Sequence, residues 1–367
     1  MMQILTHITR LLVAVTFIFS GFVKLVDPLG SAYKFEEYFG ADVLNLEFLS
    51  PFALQFSVLL ILAEIMLGVM LLVGFKSKLT VWSLFIITLL FLFLTWYLAY
   101  YNKVTDCGCF GDAITLTPWE TFYKNVILIF LVLFLIFRVY DIQPILSDIF
   151  AKRISLISLL VFIGIIFYVL RYLPIIDFRA YAIGKSVPDG MLIPEDAEKP
   201  VYEDTWVYNV NGEDKTFTTE EKPWSIEGAT FVDRKTRTLV EGYIPPIHDF
   251  TMEKDGEDLT ELLMAKEKLM LIVAYNLSMT DDKGMKNMKG LSERAMENGY
   301  SVYCFSASTQ EDYDKIKKEF DLDFDLLFCD ETTLKTIVRS NPGVVLLDKG
   351  VITGKWSWRQ ASSVILD

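Results

Sequence analysis

Five long apolar stretches dominate this sequence and restrict what it can fold into. Each is long enough to cross the hydrocarbon layer of a bilayer, which is roughly 30 Å thick and takes about 20 helical residues. They cover residues 8–26, 52–75, 79–101, 122–139 and 154–176. No small-x-small cleavage site follows the first stretch, so we interpret it as a retained helix rather than a signal peptide. The sequence therefore predicts an integral membrane protein whose helices contact membrane lipid.

Lysine and arginine in the short loops predict the direction in which the chain crosses the membrane. The turn with Lys76 and Lys78 and the loop from Arg138 to Arg153 are basic, and basic loops stay on the cytoplasmic side. The loops after the first and third stretches are mainly acidic and should face outward. The N-terminus is then cytoplasmic, and everything after residue 176 is periplasmic, in the inner membrane of a bacterium. In that oxidising compartment a cysteine pair can form a disulfide.

Charge is distributed unevenly along the chain. The chain has 34 Lys and Arg residues and 47 Asp and Glu residues. Residues 1–180 contain 12 of the basic residues and 12 of the acidic ones. The net charge of −13 therefore belongs to the second half. A basic face for DNA or RNA is not apparent there, so we set nucleic acid aside. We expect the acidic half to dock a periplasmic client or partner protein.

Residues 181–244 have the pattern of a small β-rich module. Residues 202–208 and 215–219 contain β-branched and aromatic side chains that are typical of strands. Asn211-Gly212 between them is typical of a type I′ hairpin turn, whose two central residues need a positive φ. We predict a pair of strands here and assign it no function.

Residues 245–367 alternate between strand and helix patterns and end in a hairpin. The elements follow one another at residues 269–275, 284–297, 300–305, 311–320, 325–328, from 332 onward, 344–348 and 351–356. This order resembles the thioredoxin fold, an α/β fold with an open sheet. Asn341-Pro342 stands directly before the third main strand, where that family has its cis-proline, so we expect a cis bond at Pro342.

The reactive cysteine pair of that family is missing from this part of the chain. It would follow the first central strand, where a helix N-terminus lowers the pKa of a thiol. Residues 276–283 contain no cysteine. Because disulfide exchange needs a thiolate, this domain cannot work by the thioredoxin mechanism. Cys304 and Cys329 fall in or beside predicted strands, and we expect them to be buried structural thiols.

Cys107 and Cys109 form a Cys-Gly-Cys pair in the short loop between the third and fourth apolar stretches. A bond across this pair closes a small, strained ring, and strained disulfides tend to be the labile or catalytic ones. Redox cycling, a permanent disulfide and a metal site are the three interpretations. The metal site has the least support, because the two histidines, His7 and His248, lie elsewhere in the sequence.

Glu64 lies in the middle of the second apolar stretch. A charged side chain at that depth is costly, so we expect it to face the protein interior, either protonated or paired. Lys24, near the end of the first stretch, is the candidate partner. Two roles for Glu64 remain open: proton handling or contact with a quinone, and a structural hydrogen bond between helices.

These motifs together resemble the DoxX-like membrane proteins, especially the MauE branch of methylamine utilisation. The shared features are Ser20-Gly21-Phe22-Val23-Lys24-Leu25, Asp27-Pro28, Glu64 with Gly68, and Asp106-Cys107-Gly108-Cys109-Phe110-Gly111. The resemblance covers about residues 4–140 and implies a four-helix bundle with a link to periplasmic thiol chemistry. It also implies a quinone as the candidate electron carrier, because other DoxX-like proteins are subunits of quinone-linked oxidoreductases.

The predicted organisation has four parts. They are a DoxX- and MauE-like four-helix transmembrane domain at 1–140, a fifth transmembrane helix and linker at 141–180, the β module at 181–244, and a thioredoxin-like domain without redox cysteines at 245–367. We expect Cys107 and Cys109 to be the redox pair of a quinone-linked thiol–disulfide oxidoreductase, supported by Lys24, Glu64 and Asp106. The alternative is a non-enzymatic envelope scaffold or assembly factor with a static disulfide and a redox-inactive docking domain.

Overall fold

Six helices form the N-terminal part of the protein in a computed structural model that describes residues 2–145, 147–210, 212–226, 228–240 and 242–366. In chain order they are α1 (Met2–Val26), α2 (Pro28–Phe39), α3 (Ala53–Val73), α4 (Ser77–Tyr100), α5 (Pro118–Phe137) and α6 (Asp148–Arg171). Within the described residues, all of these except α2 are long and apolar enough to cross a membrane, α3 together with a 3-10 turn at Glu47–Phe52. The five predicted spans are therefore present.

Helices α1, α5 and α6 begin four to six residues before the apolar stretches predicted for them. Polar residues such as His7, Glu120 and Asp148 interrupt these starts, so hydropathy misses them. The starts of α5 and α6 are well capped. The side chain of Thr117 accepts a hydrogen bond from the N–H of Glu120, and the carboxylate of Glu120 accepts one from the N–H of Thr117. Pro118 is the first helical residue of α5. Ser147 caps α6 by accepting a hydrogen bond from the N–H of Phe150.

The segment directly after α1 is helical, where the sequence analysis expected only a loop. Asp27 accepts a hydrogen bond from the N–H of Gly30 at 3.0 Å, and Pro28 supplies a first residue with a helical φ. The resulting helix, α2, packs on α3. It carries Lys34 and Tyr38 toward the loop that contains the two cysteines.

Two glycines let α1 and α3 approach each other closely. A Cβ on Gly21 would lie 2.7 Å from Cβ of Ile65, and a Cβ on Gly68 would lie 2.8 Å from Cγ1 of Ile18. Small residues at such crossings are typical of membrane helices. Around this pair, α5 and α6 both pack on α1, while α4 and α6 contact α3.

Arg10 stabilises the other end of the α1–α3 pair. Its guanidinium donates hydrogen bonds to the carbonyls of Leu71 (2.8 Å), Leu72 (2.8 Å) and Gln143 (3.0 Å). Carbonyls in the last turn of a helix lack a complete set of intrahelical partners. The buried arginine therefore satisfies the C-terminus of α3 and holds the α5–α6 connection against it.

Residues 185–250 form a compact unit of their own. It contains α7 (Val187–Met191), β1 (Val201–Val210), β2 (Glu213–Thr218) and β3 (Thr230–Val240), and the strands form an antiparallel sheet in the order β2-β1-β3. The sequence analysis did not predict β3, because the middle of this strand is charged and exposed. Asn211 of the predicted turn lies outside the described residues, and Gly212 has a φ of 87°.

The C-terminal part contains a seven-stranded sheet within the described residues. Its elements are β4 (Glu253–Lys254), β5 (Glu257–Asp258), α8 (Thr260–Met264), β6 (Leu269–Val273), α9 (Asp282–Glu297), β7 (Ser301–Ser306), α10 (Gln310–Phe320), β8 (Asp325–Phe328), α11 (Glu331–Ile337), β9 (Gly343–Asp348) and β10 (Val351–Ser357). The strand order is β10-β9-β6-β7-β8-β4-β5; β6, β7 and β8 are parallel, and β9 is antiparallel to β6. The fully buried β6 lies inside the sheet, between β9 and β7, which explains its continuous apolar sequence.

Residues 1–184 and 251–367 together form the second compact unit. The membrane helices and the C-terminal sheet, which the sequence analysis assigns to separate domains, thus belong to one unit. Residues 185–250 are inserted into this unit as a continuous segment.

A buried ion cluster after α6 ties the membrane helices to the C-terminal sheet. Lys355 on β10 donates hydrogen bonds to Asp177 (2.6 Å) and to the carbonyl of Tyr181 (2.9 Å). Arg179 donates to both carboxylate oxygens of Asp177 and to the carbonyl of Thr336 (2.9 Å). Burial alone would raise the pKa of Asp177, but the two cations lower it to about 2. The carboxylate is therefore ionised throughout the physiological pH range.

Candidate functional site

The Cys-Gly-Cys loop joins α4 to α5 and packs against α1 and α2. Cys107 is buried, with 6% of its surface exposed, and Cys109 is half-buried. Neither cysteine forms a disulfide in the structure. Gly108 between them has a φ of 57°, and a Cβ on it would lie 3.1 Å from Cγ of Lys34. Glycine is the residue that meets both the left-handed conformation and the close contact without strain.

A buried polar cluster from α1 and α3 holds the backbone carbonyl of Cys109. Nζ of Lys24 donates to this carbonyl (2.7 Å), to Oγ of Ser20 (2.8 Å) and to Oε2 of Glu64 (2.9 Å). Oγ of Ser20 also lies 2.9 Å from the carbonyl and 3.0 Å from Oε2 of Glu64. Glu64 is 1% exposed and Lys24 6%, so the two charges compensate each other away from solvent. We call Ser20, Lys24 and Glu64 the polar clamp.

Tyr38 holds the other cysteine of the motif. Its hydroxyl donates a hydrogen bond of 2.7 Å to the carbonyl of Cys107, and the N–H of Cys107 donates to the carbonyl of Leu116 at 3.4 Å. Burial raises the pKa of Tyr38 well above its ordinary value, so the hydroxyl keeps its proton and acts as a donor. Both cysteine carbonyls are thus held by buried side chains.

Asp106, directly before the motif, fixes the start of the loop. Its carboxylate accepts hydrogen bonds from Nζ of Lys34 at 2.8 Å and from the N–H of Gly108 at 3.0 Å. Lys34 is about one-third exposed, so this ion pair is more accessible to solvent than the polar clamp. The residues predicted to support the cysteines therefore do so through the backbone of the loop.

The two thiols differ in their environments. Burial raises the pKa of the Cys107 thiol to about 12, and the adjacent Cys109 and Asp106 contribute to the rise. The hydroxyl of Thr121 and the ammonium of Lys124, both on α5, oppose only part of it. Cys107 is therefore protonated at neutral pH, and Cys109 is the thiol that a reagent in solution reaches first.

Arg339, between α11 and β9, brings the C-terminal part next to this loop. Its Nε lies 2.8 Å and 3.1 Å from the two carboxylate oxygens of Asp27, and its Nη2 lies 3.9 Å from Oδ2 of Asp112, three residues beyond Cys109. The guanidinium also lies over the ring of Tyr33, 5.2 Å from the centroid. The Arg339 side chain is only 5% exposed, so this contact is nearly dry.

Pro342 lies three residues after Arg339, and its peptide bond with Asn341 is cis. Nδ2 of Asn341 donates a hydrogen bond of 2.8 Å to the carbonyl of Asn276, which follows β6. The stretch after β6 forms a 3-10 turn at Leu277–Met279, at the position where the sequence analysis looked for cysteines.

The remaining cysteines, Cys304 and Cys329, are fully buried in the C-terminal part, as predicted. Burial raises the pKa of Cys304 to about 12 and that of Cys329 to about 11. Both thiols are therefore protonated at neutral pH and shielded from reagents.

The structure brings together the predicted site residues of the membrane half, which are Lys24, Glu64, Asp106, Cys107 and Cys109. Sequence reasoning missed Tyr38 and Arg339. Their contacts with the cysteine loop and with Asp27 join residues 69 and 312 positions apart. The local signals were weak: a tyrosine in an acidic segment, and an arginine shortly before Pro342.

The polar clamp has no free donor for a ligand. The ammonium of Lys24 has three N–H groups, and each has an acceptor within 2.9 Å. Across the part of the chain that the structure describes, no group of three or more His, Cys, Asp or Glu side chains is arranged to hold a metal ion. What the arrangement offers chemically is a pair of thiols on a fixed backbone.

Comparisons with known proteins match parts of the chain. Protein TlpB of Flavobacterium psychrophilum is 32% identical over an alignment of 143 residues. The match covers 36% of this chain and 36% of TlpB, so the chain spans about a third of that relative's length. No solved structure matches the chain. The family model described as Methylamine utilisation protein MauE matches residues 2–138. Together with the five apolar helices, this match supports a membrane protein whose N-terminal part is similar to MauE.

Proposed function

We propose that this protein carries out thiol–disulfide exchange at the periplasmic face of a bacterial inner membrane, with Cys107 and Cys109 as the reacting pair. The observation that carries the proposal is the way in which the loop is held. Buried side chains bind the carbonyls of both cysteines, while the Cys109 side chain stays partly open to solvent. A fixed backbone that presents a reachable sulfur is a preorganised arrangement for reaction.

The different exposure of the two thiols supports different roles. The thiolate of Cys109 attacks a disulfide of the partner protein, forms a mixed disulfide and releases one partner thiolate. Cys107 then loses its proton and attacks the Cys109 sulfur, which releases the second partner thiolate. Two electrons and two protons pass to the partner, and the pair becomes a disulfide. The reverse sequence oxidises a partner dithiol.

A purely structural disulfide would gain little from this position. A bond between residues two apart closes a loop of three residues, for which chain entropy predicts about 1.6 kcal/mol, against about 3 kcal/mol for a 15-residue loop. Tyr38 and the polar clamp already hold the loop without such a bond. This comparison favours exchange over a static disulfide.

The quinone named as an electron carrier does not fit the polar clamp. A quinone carbonyl would need a hydrogen-bond donor, and the ammonium of Lys24 is fully used by Ser20, Glu64 and the Cys109 carbonyl. We therefore derive no step through a quinone. Of the two roles considered for Glu64, this geometry favours the structural hydrogen bond between helices.

The C-terminal part is, in this proposal, a thioredoxin-like domain that covers the cysteine loop. The order β10-β9-β6-β7 with a cis-proline before β9 supports the fold assignment. In thioredoxin-like folds the end of the first central strand and the cis-proline form the reactive face. Here Arg339, close to that face, is paired with Asp27 of the membrane part. The domain thus serves as a docking surface without redox chemistry of its own.

Trapping of mixed disulfides tests the proposed roles. With Cys107→Ser, the mixed disulfide on Cys109 cannot be resolved, so partner proteins should remain attached and should run as adducts on non-reducing gels. With Cys109→Ser, few or no adducts should form. Cys304→Ser is the matched control, because that thiol is fully buried in the C-terminal part and should not change the pattern.

Alkylation with a maleimide followed by peptide mapping gives a second readout. At pH 7 Cys109 should react and Cys107 should not, since the pKa of Cys107 is about 12. The labelling of Cys107 should rise as the pH approaches that value in the folded protein. Equal labelling of both thiols at pH 7, or absence of adducts in both serine variants, would refute the assignment.

The missing cysteines in residues 276–283 favour a second candidate, a non-enzymatic scaffold that presents a redox-inactive domain to a partner. In that case the double variant Cys107→Ser, Cys109→Ser should retain function, measured by complementation of a deletion strain. Full loss of function in the double variant at unchanged protein level would exclude the scaffold.

A further inference from the structure

A cavity of about 470 Å³ lies where the end of α6 meets the C-terminal part. It is lined by Arg171, Asp281, Lys283, Asn287, Trp358 and Arg359. Arg171 is the last residue of α6, so the cavity opens at the boundary of a membrane-spanning helix. None of these residues belongs to the cysteine loop or to the polar clamp.

The cavity is positively charged, against the net charge of the protein. Arg171, Lys283 and Arg359 contribute three cations, and within the described residues none of them has a carboxylate within 4.0 Å. The single carboxylate, Asp281, is already used, because it accepts hydrogen bonds from the N–H groups of Lys283 and Gly284. Three unpaired cations around one cavity predict an anionic ligand.

Contacts within the lining fix the position of one of these cations, Arg359. The guanidinium of Arg359 lies over the ring of Trp358, 4.0 Å from the centroid, and its Nη1 donates to the carbonyl of Arg171 at 3.4 Å. Asn287 donates a hydrogen bond of 3.2 Å to the carbonyl of Trp358, which links α9 to the same corner. The cavity is thus built from both α6 and the C-terminal part.

Exposed apolar side chains stand within five residues of Arg171 in the sequence. Tyr168, in the last turn of α6, and Ile175 and Ile176, shortly after it, are all exposed large side chains. An anionic head with acyl chains matches cations next to an apolar surface, whereas a free phosphate ion would use only the cations. Anionic lipids attract basic residues close to the membrane surface in this way.

We infer that this cavity binds the phosphate group of an anionic phospholipid and that the lipid fastens the C-terminal part to the end of α6. A lipid headgroup and a free phosphate ion would both present phosphate oxygens to the cations. The nearby apolar side chains favour the lipid. Arginine suits such a site because its planar guanidinium donates two parallel hydrogen bonds to phosphate oxygens. The inference is independent of the proposed thiol exchange, since it uses different residues.

Native mass spectrometry of the full chain in neutral detergent tests this site. Phosphatidylglycerol should remain bound under conditions that strip phosphatidylcholine, and the triple variant Arg171→Gln, Lys283→Gln, Arg359→Gln should lose that difference. Each removed cation should weaken binding about fivefold. The single variant Lys283→Gln, which changes one exposed side chain, should show the intermediate effect if the triple variant fails to fold.

The control variant Lys315→Gln, Lys318→Gln, Lys349→Gln removes the same charge from exposed lysines outside the cavity. It should retain phosphatidylglycerol like the unchanged protein. An equal loss in the control would refute a specific site. Inorganic phosphate that displaces the lipid at equal concentration, or equal retention of both lipids by the unchanged protein, would refute lipid binding.

Discussion

Lys24 and Glu64 form an ion pair in a place where charges are costly, since both residues lie within membrane-spanning helices and both are buried. A buried pair adds little net stability when it is complete, but removal of one partner leaves an uncompensated charge. The pair also helps to position the cysteine loop, because Lys24 donates a hydrogen bond to the carbonyl of Cys109. One side chain thus connects the α1–α3 contact to the position of a cysteine.

We expect Lys24→Met to destabilise the protein by about 3–5 kcal/mol, because the buried Glu64 carboxylate then lacks a compensating positive charge. The free energy of unfolding in detergent measures this effect. Hydrogen exchange of residues 106–111 should also become faster, since the Cys109 carbonyl loses its donor. The double variant Lys24→Met, Glu64→Met should recover most of the lost stability.

Lys34→Met is the matched control, because Lys34 also contacts the loop, through Asp106, but is about one-third exposed. Exposed ion pairs contribute about 1 kcal/mol or less. If both lysine variants destabilise the protein equally, or if the double variant is less stable than Lys24→Met, the charges of Lys24 and Glu64 do not compensate each other in the polar clamp.

At the level of helices, the crossing of α1 and α3 determines whether the polar clamp can form. Gly21 lies one turn before Lys24 on α1, and its Cα faces the backbone of Ile65, the residue after Glu64. The separation of the two helices at this point therefore sets the distance between the ammonium and the carboxylate. A wider crossing would break a bond of 2.9 Å.

Gly21→Leu should destabilise the protein by about 1–3 kcal/mol or more, since its Cβ alone would lie 2.7 Å from Cβ of Ile65. The thermal unfolding midpoint in detergent measures this change. Gly164→Leu on α6 is the control, because nothing lies within 4 Å of a Cβ at that position. Similar midpoints for the two variants would show that helix approach at Gly21 is not required.

The elements that could be predicted from sequence are those whose signal is local. Apolar stretches of 18 or more residues and the buried strand at Leu269–Val273 carry their own pattern, so the five spans and the α/β order were predictable. Helix α2 was missed because its polar sequence has a cap but no apolar length. β3 was missed because its centre is charged.

The candidate site could be predicted only in part, for the same reason. Cys107 and Cys109 are adjacent in sequence and easily recognised, and an intramembrane Glu64 predicts a partner. The bond from Tyr38 to the Cys107 carbonyl and the pairing of Arg339 with Asp27 join distant segments, and no local pattern announces them. Contacts of this kind depend on how complete elements pack.

At the scale of the whole molecule, the membrane helices and the C-terminal sheet act as one compact unit. The Asp177 cluster and the pairing of Arg339 with Asp27 are its buried polar connections. Arg339 lies closest to the cysteine loop, through Asp112. We therefore expect the docking of the C-terminal part to control access to Cys109.

Arg339→Met should loosen this docking, because the half-buried Asp27 carboxylate loses its cationic partner. A shift of about 1.4 kcal/mol in the docking equilibrium changes the open population tenfold. The rate at which a maleimide labels Cys109 should then rise about tenfold. Lys349→Met, which removes an exposed ion pair with Glu267, should leave the rate unchanged. An unchanged labelling rate in Arg339→Met would show that docking of the C-terminal part does not control access to Cys109.

The distance along the chain between Asp27 and Arg339 has a consequence for biogenesis. A ribosome that adds roughly 5–20 residues per second needs about 15–60 s to make the 312 residues between them. During this interval the nascent protein has its cysteine loop but lacks Arg339 and the C-terminal sheet. We therefore expect a thiol reagent to reach Cys109 more readily before Arg339 has been synthesised than in the finished protein.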